Sequence, residues 1–493
     1  MRGTYLIGVD IGTTGTKTVL LHETAGIVAQ ATLSSPIFSD GPAYAEADAS
    51  AWVTNAVEGI RQVLAESQID PAMVAAVSAT GMVPAVVCLD ADLKPVRRPI
   101  LQNDARAIRE IDELSAVIDG ADMLSRTGSA LTQQSVAPTV RWLQRNEPEC
   151  WSATRYLVGS YDYVLIALGA PPHVEQNWAL ESGLYTLDGK QFDPALEAVG
   201  LPSSSLCEVY RPGTRIGTIS APMAETTGLP ADVALVVGGA DHVLSAYAAG
   251  VDTAGDWLIK LGGAGDILTA CADPIVDPRL YLDAHPRPGT WLPNGCMATS
   301  GSLIRWFQTL IGGTPLTDLD AEATGRRPAA VLCLPYFLGE KSPIHDPQLR
   351  GAFIGLELAH TGADMYRSVL EAIAFGFRHN AEVMRSAGIT LSRARVTNGG
   401  SKSTLWKQIH ADVLGTELAP VRDHPGASLG AAILAGVGAG ALGLDDAARF
   451  LQFDAPVVPD RERSAIYDEA YQLWRQAGDA LAPISHGLTR RSR

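Results

Sequence analysis

Two aspartates stand where this sequence could do chemistry. Asp10 follows the short apolar run Tyr5-Leu6-Ile7-Gly8-Val9 and opens the turn Ile11-Gly12-Thr13-Thr14-Gly15-Thr16-Lys17. Asp241 follows a second apolar run, Ala234-Leu235-Val236-Val237, after Gly238-Gly239-Ala240, and is itself followed by His242. A turn of glycines and small hydroxyl residues leaves successive backbone N–H groups free to converge on phosphate oxygens. Thr13, Thr14 and Thr16 would add hydroxyl donors, and Lys17 a positive charge. A carboxylate facing the same place repels phosphate unless a divalent cation lies between them. Mg²⁺ suits that arrangement, because it keeps most of its waters and is held by one or two carboxylates plus phosphate. Asp241, with no basic residue near it in sequence, is a candidate general base. The competing reading is a helix N-cap, a place aspartate fills well.

The first turn is neither of two common phosphate motifs. A Walker loop needs Gly-Lys-Ser/Thr, and here Thr16 precedes Lys17. A dinucleotide fingerprint needs G-x-G-x-x-G before a helix, whereas Val19-Leu20-Leu21 reads as a return strand. A plain hairpin turn stays open beside the phosphate reading. The plan returns halfway along the chain, where the strand Trp257-Leu258-Ile259-Lys260-Leu261 meets Gly262-Gly263-Ala264-Gly265 and the return strand Ile267-Leu268-Thr269-Ala270. A fourth loop, Asn398-Gly399-Gly400-Ser401-Lys402-Ser403-Thr404, lies between the strand Ala394–Thr397 and a helix with Leu405, Trp406, Ile409 and Val413 on its apolar face. Its two glycines would let a flat ring approach the backbone. Trp406 reads as core, since it falls on that apolar face.

The elements that must hold these residues read as α/β. Asp48 caps a helix whose Trp52, Val53, Ala56, Val57, Ile60, Val63 and Leu64 follow a 3.6-residue period. Met73–Ser78 then reads as a buried strand ending at Thr80-Gly81-Met82. Ala85–Leu89 is a further strand, and Pro99–Arg106 leads into a helix with Asp104 near its start. Two halves that each open with a glycine-turn hairpin suggest duplicated domains facing across a cleft, with Asp241 at their junction.

A chain of 493 residues calls for two domains, and 46% hydrophobic with 19% charged residues is ordinary for a globular enzyme. The net charge of −16 argues against nucleic acid or an anionic membrane surface as partner. The six cysteines show no C-x-x-C, so neither a zinc site nor a disulfide framework is indicated. Met1-Arg2 leads straight into the first strand, so no signal peptide is expected and the location expected is cytoplasmic. Gly426–Leu444 is uncharged, but its six glycines suit closely packed core helices better than a membrane span.

With these motifs in order, the chain resembles the FGGY carbohydrate kinases of the actin/hexokinase/Hsp70 ATPase superfamily, the xylulokinase branch most of all. The resemblance is carried by Asp10–Lys17, Ile100–Asp104, Thr127-Gly128 with Arg141-Trp142-Leu143, and Gly238–Asp241. It continues through Leu334–Pro343, Arg350–Leu356 and Asn398–Ile409. It implies two ribonuclease-H-like domains with a nucleotide cleft between them: residues 1–243 with the sugar site and first phosphate loop, and 244–493 with the second phosphate loop and the adenosine site. ATP and Mg²⁺ are the implied cofactors and a small sugar or polyol the implied partner; a homodimer is left open. Asp241 takes the place of the catalytic base and Asp10 that of the magnesium-associated carboxylate. Nucleotide contacts are implied for Gly12, Thr13, Thr14, Lys17, Gly262, Gly263, Gly301, Gly399, Gly400 and Thr404, and sugar contacts for Gly81, Met82, Val83, Gln134, Asp241 and His242.

The departures lie mainly around the sugar. Xylulokinases carry Gly-Gln-Met-His-Gly where this chain has Gly81-Met82-Val83-Pro84-Ala85. Gln134 and Thr139 stand where relatives often have an aromatic residue and a lysine. His242 replaces the usual asparagine or glutamine, and Gly263 a common threonine. Lost donors reject substrates that need them, so the expectation is a more apolar rear wall and a shorter or less hydroxylated acceptor, with ribulose, erythrulose, erythritol and xylitol as alternatives to xylulose. His242 would then orient the sugar, neutral at physiological pH unless its surroundings shift it. A non-catalytic sugar sensor is the rival reading, though it would need neither Asp10 nor Asp241. A chaperone-like ATPase lacks any evident peptide-binding extension.

Overall fold

The structure is a computed structural model that describes residues 3–41 and 43–491. The first sheet begins with β1 (Tyr5–Gly12), β2 (Gly15–His22) and β3 (Gly26–Ser34), an antiparallel meander. The β1–β2 register closes on the pair Gly12/Gly15, so Thr13 and Thr14 form a two-residue turn. Helix α1 (Ala49–Ser67) follows, its N-terminus capped by Asp48, whose carboxylate accepts from the backbone N–H groups of Ser50 and Ala51. Trp52, Ala56, Ile60, Val63 and Leu64 form its buried stripe. The chain then adds β4 (Val74–Gly81) parallel to β1, a half-layer of helices that includes α2 (Gln176–Ser182), β5 (Arg215–Thr218), and β6 (Ala234–Ala240) parallel to β4. The strand order is β3-β2-β1-β4-β6-β5. Helix α3 (Asp241–Ala248) leaves the end of β6 directly.

The second sheet repeats this plan. β7 (Asp256–Leu261) and β8 (Gly265–Thr269) form the second glycine-turn hairpin, with β9 (Tyr281–Ala284) and β10 (Trp291–Met297) continuing antiparallel. Helices α4 (Gly301–Leu310) and α5 (Gly362–Ser386) precede β11 (Arg393–Thr397), which runs parallel to β7; α6 (Thr404–Leu414) leads to β12 (Leu418–Pro420), parallel to β11. The order is β9-β10-β8-β7-β11-β12. Each sheet therefore passes from three antiparallel strands into two parallel ones, as ribonuclease-H-like domains do, with one edge strand added. The fold is two such α/β domains.

The core does not divide at one point of the chain. Helix α7 (Ala427–Ala439), from the last quarter of the sequence, lies on β1, β4 and β6 and packs against α3. A Cβ on Gly8 would stand 2.1 Å from the Ser428 carbonyl oxygen, and one on Gly430 would stand 2.5 Å from that of Leu244. The glycines of this stretch let helix and strand backbones touch, which is the packing expected of Gly426–Leu444. Among the described residues no helix is long and apolar enough to cross a membrane.

Candidate active site

A cleft of about 1510 Å³ is lined from one side by the β1–β2 turn and from the other by the β7–β8 turn. The end of β6 delivers Asp241 to it. Gly238 makes this possible: the β4–β6 register slips between Val236 and Gly239, and a Cβ at Gly238 would meet the Ala79 carbonyl oxygen at 1.8 Å. Asp241 is the first residue of α3, while Ala240 holds the N-cap position and makes no side-chain capping bond. The capping reading of Asp241 therefore falls, and its carboxylate is free to face the cleft.

The basic residue missing near Asp241 in sequence is supplied by the fold. Lys260, near the end of β7, places Nζ 3.7 Å from Asp241 Oδ2 and 3.3 Å from Asp266 Oδ2. Burial would raise the Asp241 carboxyl, but Lys260 and His242 outweigh it and hold it at about 2. Burial likewise opposes the charge of Lys260, and Asp241, Asp266 and Asp10 reverse that, raising it above its ordinary value.

Asp10 is in the opposite state. Burial first, and then the charge of Asp241, push its carboxyl up to about 7, against the pull of Lys260 and Lys17. Its Oδ1 is buried without a hydrogen-bond partner. A lone buried carboxylate oxygen repelled by a second carboxylate is a donor set that fits a hard divalent cation. Magnesium is thus compatible with the residues present.

Of the residues expected at the nucleotide, Thr13, Thr14, Lys17, Gly262, Gly263 and Gly399 line the cleft; Asp10, Met82, Val83, Gln134, Asp241 and His242 line it too. Five expected residues are not among its lining. Gly12 closes the first turn against Gly15. Gly81 is packed against Ile11 and Ser160. Gly301 donates its N–H to the Gly262 carbonyl, so it braces the second turn from behind. Gly400 gives room to the Trp406 ring, which is core as expected. Thr404 is exposed at the start of α6. Thr16, expected to offer a hydroxyl, points to the other face of its strand and is fully buried.

Around Met82 and Val83, the wall expected to meet the sugar is less apolar than expected. Met82 and Val83 do face the cleft, but Gln102, Gln134 and Glu181 face it as well, and each has a buried side-chain oxygen with no hydrogen-bond partner. His242 is not neutral. Burial would discharge it, but Asp283, Asp241 and Glu181 raise it well above its ordinary value. Its Nε2 donates to Asp283 Oδ2 at 2.7 Å, and the same oxygen accepts from Asn294 Nδ2 at 2.6 Å. Glu181 Oε1 lies 3.5 Å from His242 Nε2 and Asp241 Oδ1 3.5 Å from its Nδ1. Glu181, His242 and Asp283 are spaced as ligands of a cation could be, within 4.8 Å of one another. The Nε2 proton, however, is committed to Asp283.

The sequence reading missed Lys260, Asp266, Gln102, Glu181, Asp283 and Asn294. A signal existed for three of them. Lys260 interrupts an apolar strand, Glu181 follows Trp178-Ala179-Leu180 in a buried helix, and Asp283 sits between Leu282 and Ala284 in a buried strand. Charges in such places need partners.

Comparisons with known proteins agree with this geometry. Residues 5–248 match the N-terminal domain model of the FGGY family of carbohydrate kinases, and residues 271–439 match its C-terminal domain model. The chain is 28% identical over 496 residues to a xylulose kinase of Lactococcus lactis, covering 98% of each, and 26% identical over 483 residues to one of Staphylococcus epidermidis, covering 95% of each. It is similar to the crystal structure of xylulose kinase from Rhodospirillum rubrum, with a TM-score of 0.89, 36% identity, and coverage of 98% of this chain and 100% of that one.

Proposed function

This chain belongs to the FGGY family of carbohydrate kinases, and from that premise we propose that it moves the γ-phosphoryl group of ATP to a terminal hydroxyl of xylulose or a closely related neutral ketose, with Asp241 as the base. The observation that carries this reading is Asp241 itself: an ionised carboxylate between the two hairpin turns, 3.7 Å from Lys260 Nζ. The chain is a carbohydrate kinase; the sugar and the residue roles are the proposal.

The acceptor hydroxyl sits against Asp241, which takes its proton as the oxygen attacks phosphorus. A carboxylate held at about 2 is ionised throughout the physiological range. Weak basicity is no obstacle, because phosphoryl transfer passes through a loose transition state and the proton leaves late. Thr13, Thr14, Gly262 and Gly263 position the phosphates from both sides, so the rate gain is one of alignment. Asp10 would hold Mg²⁺, which when bound neutralises charge between the phosphate oxygens. Lys260 fixes Asp241. We place the sugar in the lobe of residues 1–243 and the adenosine against Gly399 in the lobe of residues 244–493, with α7 returning to the first sheet. The unpartnered oxygens of Gln102, Gln134 and Glu181 give the wall hydrogen-bond acceptors that Met82, Val83 and Pro84 do not supply, which favours a well-hydroxylated acceptor such as xylulose over a shorter or less hydroxylated one.

Asp241→Asn tests the reading. It should lower kcat by about a hundredfold or more with Mg·ATP affinity close to that of the unaltered enzyme; near-native turnover would end the assignment. Comparing kcat/KM for xylulose, ribulose, erythrulose, erythritol and xylitol ranks the acceptors. Xylulose should lead.

A further inference from the structure

Glu181 has no part in the mechanism above, yet it is an acid in an unusual position. It lies on α2 directly after the run Asn177-Trp178-Ala179-Leu180, is 7% exposed, and lines the cleft near Asp241. Its Oε1 is buried without a hydrogen-bond partner. The nearest donor, His242 Nε2, is 3.5 Å away and already directed at Asp283 Oδ2 at 2.7 Å. Asn294 Nδ2 is spent on the same Asp283 oxygen at 2.6 Å. The donors beside Glu181 therefore serve Asp283.

A buried carboxyl oxygen left unpaired is costly. A fold retains one readily where a ligand completes the bond. Here two further unpartnered acceptors, Gln102 Oε1 and Gln134 Oε1, face the same cleft. The Gln amide nitrogens and Lys341, which lines the cleft too, can donate to a ligand; what the three unpartnered oxygens themselves lack is a donor, and a ketose supplies donors as hydroxyls. A carboxylate-bearing acceptor would instead bring more acceptors and a charge of the same sign as Glu181.

We propose that Glu181 is a specificity-determining residue, whose unpartnered carboxyl oxygen accepts a hydrogen bond from an acceptor hydroxyl remote from the one phosphorylated. The His242–Asp283 pair holds the wall around it: Asp283 fixes the imidazole, and the imidazole limits how far the Glu181 side chain can turn. Burial, and then the charge of Asp283, raise the Glu181 carboxyl well above its ordinary value, while His242 and Lys341 pull the other way. Either protonation state leaves an oxygen to accept from the sugar. The inference rests on the neutral-ketose kinase reading and adds to it the residue that selects the substrate.

A substrate-deletion cycle tests it, using xylulose and its mono-deoxy analogues with the unaltered enzyme, Glu181→Ala and Glu181→Gln. Glu181→Ala should raise KM for xylulose by about 10- to 100-fold while changing kcat by less than about threefold, because binding common to ground and transition states appears in KM. KM for Mg·ATP should not move, since no residue of either hairpin is touched. One deoxy analogue should lose at least about tenfold in kcat/KM with the unaltered enzyme and nothing further with Glu181→Ala, since the partner is already gone. Glu181→Gln, which keeps one acceptor oxygen, should retain most of the deoxy penalty. Should Glu181→Ala fail to fold, Glu181→Met, which keeps the length and removes both oxygens, carries the same cycle and stands for the enzyme without the carboxylate. Deoxy penalties that are the same with and without the Glu181 carboxylate overturn the role of Glu181 in an enzyme that still phosphorylates xylulose. Failure of the unaltered enzyme to phosphorylate any neutral ketose or polyol overturns the kinase reading beneath it.

Discussion

The β1–β2 and β7–β8 hairpins line one cleft with one plan and carry their charges in opposite order. In the first, Asp10 stands on the outgoing strand with Lys17 across from it; in the second, Lys260 is on the outgoing strand with Asp266 across from it. The outcomes differ as well. Lys17 is drawn off the cross-strand pair and donates to the Pro425 carbonyl at 3.1 Å, leaving an Asp10 oxygen without a partner. Lys260 stays central, 3.3 Å from Asp266 and 3.7 Å from Asp241. The same backbone device thus gives one compensated charge and one uncompensated charge. The compensated hairpin fixes the Asp241 carboxylate; the uncompensated one leaves room for a cation. If that contrast is real, the two charged residues must fail in different ways when removed.

The largest effect should come from the second hairpin. Lys260→Met leaves Asp241 and Asp266, both half-buried in the cleft, without their shared cation, at a cost below the roughly 3–5 kcal/mol of breaking a fully buried pair from one side. Asp241 would lose the charge that holds it ionised, and its repulsion of Asp10 would go uncompensated by Lys260. Both thermal stability and kcat should drop, kcat by about a hundredfold or more. Lys260→Arg should recover part of the stability, since it restores the charge. A Lys260→Met enzyme as stable as the parent would break the comparison at its base.

Asp10→Ala should do the reverse. It removes a repelled carboxylate, so the metal-free protein should lose no stability, while productive Mg·ATP binding weakens by about 10- to 100-fold with the cation's protein anchor gone. Acceptor affinity should be spared. Titration calorimetry with xylulose alone and with Mg·ATP separates the two; equal weakening of both would make Asp10 a structural residue like Lys260.

The two hairpins also show how far sequence reading reaches. Both turns, the duplication of the domains, and the placing of Asp10 and Asp241 were legible, because a glycine turn between apolar runs is a local signal and repeats. The partner of Asp241 was not, since Lys260 comes to it from another sheet. His242 was read as neutral because sequence shows only the adjacent Asp241, whereas Asp283 reaches it across strands of the other domain. Thr16 was misplaced by one step of strand alternation. Gly301 and Gly400, expected at the adenosine, are not in the cleft lining: Gly301 donates to the Gly262 carbonyl behind the second turn, and Gly400 makes room for the core residue Trp406. Motifs mark the neighbourhood, and backbone geometry then decides which of their residues reach the ligand. Helix α7, lying on the first sheet, has no local signal of its destination beyond glycines that permit a close approach.

The smallest effect is a difference in how stability follows pH, and it separates the hairpins without any substrate. Asp10 has its folded-state carboxyl raised from 3.8 to about 7. Between those values the native state binds a proton that the unfolded chain does not, so stability rises as pH falls from above 7 toward 4. The penalty of ionised Asp10 is fully present only above 7. Asp241 has the opposite sign, with its carboxyl lowered from 3.8 to about 2. Its contribution is present above 3.8, is lost only as pH falls from there toward 2, and is flat between pH 8 and 5. In metal-free protein Asp10→Asn should therefore melt above the parent at pH 8, and that advantage should shrink steadily down to pH 5. The slope is at most roughly 1.4 kcal/mol per pH unit, and for a chain of this length each kcal/mol moves the melting temperature by about 1 °C. Buried histidines held below their usual value, such as His410 and His424 at about 4, weaken both proteins alike over this range and cancel in the difference. Asp241→Asn removes the second of the two causes that raise Asp10, so its difference from the parent should vary over the same interval as well, but less steeply than that of Asp10→Asn, because burial still holds Asp10 up. An Asp10→Asn advantage that did not change between pH 8 and 5 would mean that Asp10 is already ionised without penalty, and the contrast between a compensated and an uncompensated hairpin would be lost.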